Sequence, residues 1–98
     1  MTIRHVVSWK LAEEDEQIRT EQVARIRAGL LALPAVIPEI RSMTVGSNVV
    51  PGNWDLVLIA DYDDEDAMRR YAQHPEHQKV ATLVRSVVSQ RSAVDFTL

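Results

Sequence analysis

The chain of 98 residues contains no cysteine. That excludes disulfides, thiolate metal sites and a cysteine nucleophile, and it suits a reducing cytoplasm. An excess of positive charge is also missing, since fourteen acidic residues oppose eleven basic ones for a formal charge of −3. The electrostatic case for gripping a phosphate backbone or an anionic membrane is thereby removed. No apolar run is long enough for a signal sequence or a membrane span. Only three histidines, two tyrosines and two tryptophans are present, so any polar chemistry has to be built from a short list. These absences predict a cytoplasmic protein that binds neither nucleic acid nor membrane.

What is present exceeds the needs of one small core. Hydrophobic residues make up 46% of the chain, whereas a domain of this size hides roughly 65% of the surface its unfolded chain exposes. A single domain over residues 1–98 is expected, with apolar surface left over for a partner.

Residues 3–11 place Ile3, His5, Val7, Trp9 and Leu11 on one face of a period-two strand, with Arg4, Val6, Ser8 and Lys10 on the other. The odd face is the buried one, so His5 points the same way as four apolar neighbours. After an acidic lead-in at Ala12–Asp15, apolar residues at Ile18, Val23, Ile26, Leu30 and Leu33 predict a long amphipathic helix, which Pro34 and Pro38 stop. A less regular strand spans 40–50, and Pro51-Gly52-Asn53 supplies turn chemistry before the strongest strand at 54–62. Asp63 is the expected cap of a short helix with Ala67, Met68, Tyr71 and Ala72 inside. His74-Pro75 interrupts it, and Pro75 opens a further helix through Val80, Leu83, Val84 and Val87. Residues 89–98 return to strand.

The order β, α, β, β, broken α, β predicts an α+β, ferredoxin-like βαββαβ fold, a four-stranded antiparallel sheet with helices on one face. Such a sheet should have one wet face. Leu56 to Ile59 are instead apolar on both, and Val6, Met43 and Val45 extend the second apolar face. Burial against another copy, in a homodimer with a barrel-like core, is the predicted solution.

Three features converge. His5 points inward from the first strand, Tyr71 lies on the apolar side of its helix, and His77 lies three residues before Val80 and seven before Val84 on the inner face of the next. A neutral imidazole removes a proton near pH 7, and a phenol stabilises a carbonyl oxygen becoming an enolate. His77 and Tyr71 are the candidate catalytic pair, with His5 orienting substrate or His77, and enolisation or aldol closure is chemistry they can perform without a cofactor. His74 and Trp9 are carried as candidate substrate-binding residues. Each also has a plain structural explanation: His5 and the Tyr71–His77 pair as satisfied core groups, His74 as a cap before proline, Trp9 as packing. His74 and His77 lack a third ligand, so no side-chain metal site is expected.

Ile3-Arg4-His5-Val6-Val7-Ser8-Trp9-Lys10, Ile37-Pro38-Glu39-Ile40, Val45-Gly46, Trp54-Asp55-Leu56-Val57-Leu58, Tyr71, and above all His74-Pro75-Glu76-His77 opening a helix resemble the stress-responsive A/B barrel domain, or Dabb, family over nearly the whole chain. The resemblance implies a dimeric α+β barrel. Its plant polyketide cyclase branch implies cofactor-free aldol condensation, with the acid–base histidine at His77, the tyrosine at Tyr71 and a cavity histidine at His5. Some members hold magnesium through backbone carbonyls, at the segment matching Pro34–Ile40. Two functions are therefore weighed: a cyclase or isomerase acting on a polyketide-like or aromatic carbonyl compound, and a non-catalytic stress-response protein whose cavity takes a small apolar ligand or none. A haem or flavin oxygenase lacks a cofactor fingerprint here. An enclosed pocket of roughly 300 Å³ or more beside Tyr71 and His77 is the expected mark of a ligand.

Overall fold

A computed structural model describes all residues from Met1 to Leu98. The elements run β1 (Ile3–Leu11), α1 (Glu16–Leu31), a 3-10 turn (Leu33–Ala35), β2 (Ser42–Ser47), β3 (Leu56–Tyr62), α2 (Glu65–Gln73), α3 (Pro75–Val87) and β4 (Val88–Thr97). The strands form one sheet in the order β2-β3-β1-β4, every neighbouring pair antiparallel. This is the ferredoxin-like arrangement.

Local chemistry sets the boundaries. Asp15 caps α1 by accepting from the Ile18 N–H at 3.0 Å, and Pro34 lies within the 3-10 turn that ends it. The loop before β3 turns at Gly52, whose φ of 94° no side-chain-bearing residue adopts readily. The cap of α2 is Asp64, not Asp63: its extended backbone lets its carboxylate accept from the Ala67 N–H at 2.8 Å. Asp63 is turned to Arg41, with Nη2–Oδ2 at 2.6 Å.

The helix-covered face of the sheet carries the core. Val7, Trp9, Leu56, Leu58, Ala60 and Tyr62 pack there against Ile26, Leu30 and Val84. Ile18 is a departure from the helical pattern, 45% exposed at the N-terminal end of α1. The strand faces also need one revision. Val45 stands opposite Leu58 and Met43 opposite Ala60, so both lie on the helix-covered face rather than the second one. Alternation alone cannot set this in a short strand, because a one-residue slip exchanges its faces.

The second face remains apolar without them. Val6 pairs with Ile59 and with Val94, Val57 lies one pair further along β3, and Phe96 is opposite Arg4. Val94 and Phe96 are exposed at 61% and 43%. A polar ladder edges this patch: Arg4 makes a two-point bond to Asp61, at 2.8 and 2.9 Å, and holds that carboxyl below its ordinary range.

Candidate functional site

His5 sits mid-strand on β1 and faces the helices. The register sets it opposite Asp95 of β4, and its Nδ1 is hydrogen-bonded to the Asp95 carboxylate. A carboxylate only accepts, so Nδ1 carries the proton and Nε2 is left free of that bond. The sequence alone does not mark Asp95 as a site residue. Its alternation with Val94 and Phe96 is visible there, but the residue it meets depends on register across ninety positions.

The α2–α3 break builds the other half. His74 ends one helix and caps the next, its Nδ1 accepting from the Glu76 N–H at 3.1 Å. The kink carries Tyr71, 3% exposed, and His77 to a ring-centroid separation of 4.3 Å. His77 Nδ1 donates to the Ala72 carbonyl at 3.0 Å, which also accepts from Gln78 Nε2 at 2.6 Å. A carbonyl cannot donate, so the neutral His77 is the Nδ1–H tautomer and Nε2 keeps its lone pair. Burial lowers its pKa below the ordinary value, against the Ala72 bond, with His5 and Arg85 adding to the lowering. His77 is thus held neutral and basic at Nε2.

Burial pushes the Tyr71 phenol up to about 12, so it stays protonated and able to donate. Behind it, Tyr62 of β3 lies 5.0 Å away between ring centroids. The Tyr62 hydroxyl is buried with the Tyr71 phenol as its polar neighbour, and burial raises its pKa strongly.

These groups surround a cavity of about 430 Å³, floored by Val7, Trp9 and Leu58 and walled by Val80 and Val84. His5, Tyr71 and His77 all line it; its volume exceeds that expected of a ligand site, but it is partly open to solvent rather than enclosed. A second hollow of about 320 Å³ shares His5, Tyr71, His77 and Arg91 and adds Asp95. Of the sequence candidates, His5, Trp9, Tyr71 and His77 are brought together. His74 lines neither hollow, its Nδ1 being spent on the cap. Arg85 and Arg91 also line the cavity, and nothing in the sequence distinguishes them from surface arginines.

No three His, Asp or Glu side chains converge as a metal site. Around Pro34–Ile40 the Leu33 and Ile37 carbonyls accept from the turn's own N–H groups, and Glu39 pairs with Arg70 at 3.0 Å.

A ferredoxin-like sheet with a hollow beneath its helices and a His–Tyr pair at their break defines a small α+β barrel protein. The chain belongs to the Stress responsive A/B Barrel Domain family, whose model matches residues 3–98. An uncharacterised protein from Streptomyces coelicolor is 32% identical over 85 residues, covering 85% of this chain and 87% of its own. A dimeric protein of unknown function and ferredoxin-like fold from Bacteroides fragilis superposes with a TM-score of 0.93 at 29% identity, covering 99% of this chain and 96% of its own. A dimeric ferredoxin-like protein of unknown function from Thermobifida fusca gives 0.83 at 33%, covering 100% and 92%. The fold alone is shared with a hydroxynitrile lyase from Passiflora edulis, TM-score 0.83 at 14% identity over 99% and 93% of the two chains. The same holds for SnoaB, a cofactor-independent oxygenase from Streptomyces nogalater, TM-score 0.76 at 20% over 99% and 92%.

Proposed function

We propose that the protein is a cofactor-free acid–base catalyst acting on a polyketide-like or aromatic carbonyl compound, as a cyclase or isomerase. The observation that carries this is the His77 arrangement: Nδ1 anchored on Ala72, Nε2 bare, the ring beside a protonated Tyr71 on a cavity of ligand size. His77 Nε2 takes a proton from the carbon next to the carbonyl, and the C–H electron pair moves into the enolate. Tyr71 donates a hydrogen bond to the developing oxyanion. The enolate carbon attacks a second carbonyl of the same molecule, forming a C–C bond, and the new alkoxide takes the proton back from His77. His5, oriented by Asp95, positions the substrate, and Trp9 supplies an apolar wall. Positioned acid–base catalysis contributes about 10²–10⁴-fold.

The working unit in this reading is a cytoplasmic homodimer. Its support is the uncovered apolar patch of Val6, Val57, Ile59, Val94 and Phe96 and the dimeric state described for the Bacteroides fragilis and Thermobifida fusca proteins. A second reading, a small-ligand-binding protein without turnover, draws on the continuous Tyr62–Tyr71–His77 ring column, which packing alone would also produce.

Proton exchange separates the two without knowledge of the natural substrate. Aryl methyl ketones incubated with the protein in D₂O are expected to gain deuterium at the methyl faster than in buffer. The acceleration should fall about 10²-fold or more in His77→Ala and about as far in Tyr71→Phe. Binding of these ketones with no acceleration of exchange would reject the enzyme and favour the binding protein.

A further inference from the structure

The charge around the cavity runs opposite to the charge of the chain. The protein carries −3 overall, yet none of the fifteen cavity-lining residues is acidic, and Arg85 and Arg91 both line it. Arg4, Arg19, Arg41, Arg69, Arg70 and Lys79 each hold a carboxylate, while Lys10, Arg25 and Arg27 stand outside this cavity. Arg85 and Arg91 hold none. Asp95, the nearest acidic candidate on β4, is engaged by His5.

The two arginines reach the hollow from different elements, sheet and helix. Arg91 is opposite Trp9 in the sheet, four residues along β1 from His5, a separation of about 13 Å at strand rise. Arg85 lies eight residues beyond His77 on α3, about 12 Å at helical rise. These are backbone separations; the long side chains reach back, Arg91 lining the second hollow with His5, Tyr71 and His77 and Arg85 acting on His77. Complementing the helix dipole accounts for Arg85 in the last turn of α3 but not for Arg91 on a strand. A mostly apolar hollow with cationic groups on its lining suits an apolar ligand that carries an anionic group, because guanidinium binds carboxylate by charge-assisted, directional hydrogen bonds.

We propose that the ligand is a keto acid, its carboxylate held by Arg85 and Arg91 and its carbonyl carried by an aromatic ring or short chain to Tyr71 and His77. The second half of this statement rests on the acid–base reading above; the anion site does not.

The test uses 4-acetylbenzoate and its neutral match, 4-acetylbenzamide, with binding followed by NMR titration of the full chain at low salt through the Trp9 indole N–H. Trp54→Phe identifies that resonance. The acid is expected to bind about tenfold more tightly than the amide. Arg85→Gln and Arg91→Gln should each reduce the preference, and the double variant should erase it. Both arginines are exposed, so the variants keep the fold. Equal binding of the two probes, binding of neither, or a preference that survives the double variant would overturn the anion site. Deuterium exchange of the amide reads the acid–base chemistry separately. Exchange without acid preference sinks the anion site and leaves His77 standing; acid preference without exchange sustains the anion site and sinks the catalytic reading.

Discussion

Strands β3 and β4 flank the same strand in the same antiparallel sense, yet they live in different environments. β3 alternates fully buried with half-buried residues along its length. β4 has no buried residue at all. On the helix-covered face β3 presents Leu56, Leu58, Ala60 and Tyr62, whereas β4 presents Arg91, Ala93, Asp95 and Thr97. The reason lies above the sheet: α1 packs toward β2 and α3, leaving the β4 side less covered. A closely packed half gives rigidity, and the open half gives room for a cavity and for polar groups that a packed interior would penalise. The site therefore sits at the seam between the halves, with His5 on the shared strand reaching to β4.

The sharpest break of this contrast is a truncation on each flank. Leu58→Ala, in the packed half, should cost about 2–5 kcal/mol of unfolding free energy, while Thr97→Ala on the same face of β4 should stay within about 0.5 kcal/mol. Urea unfolding reads both, and equal losses would mean that β4 is as covered as β3. Next in size is the opposite face. Phe96→Asp places a charge in the exposed apolar patch and is expected to convert a dimer to a single chain in sedimentation; an unchanged mass would show that the patch is not the dimer surface.

The smallest effect is a pH response. Burial lowers the folded-state pKa of His77 beneath its ordinary 6.5. The unfolded chain therefore takes up this proton first on acidification, so stability is retained above that ordinary value and lost as pH falls toward the folded one. Melting temperatures taken from about pH 8 to about pH 5 should decline more steeply for wild type than for His77→Gln. Parallel slopes would mean that the cavity leaves His77 as hydrated as the unfolded chain does.

Much of this contrast was written in local patterns. The alternation of Ile3, His5, Val7, Trp9 and Leu11 named the inward face of β1, because strand periodicity is a property of neighbouring residues. His74-Pro75 announced both a helix start and its cap for the same reason. The helical phase of Tyr71 and His77 was enough to aim both at one space. Elements were less legible where two local solutions compete, as with Asp63 and Asp64, or where a short strand such as β2 sets its faces by pairing alone. Asp95, Arg85, Arg91 and Tyr62 were illegible as site residues, since each gains its meaning from a neighbour far away in the chain.

By itself, then, the sequence determined the element order, the inward face of the first strand, the helix break and the surplus of apolar surface, all of which follow from spacing and backbone stereochemistry. Only the tertiary structure decided that His5 meets Asp95, that the hollow lies toward β4, and that two arginines stand unpaired at its lining. Those facts depend on register and on which helix covers which strand, and such long-range pairings are set by the packing of the whole chain rather than by any stretch of it.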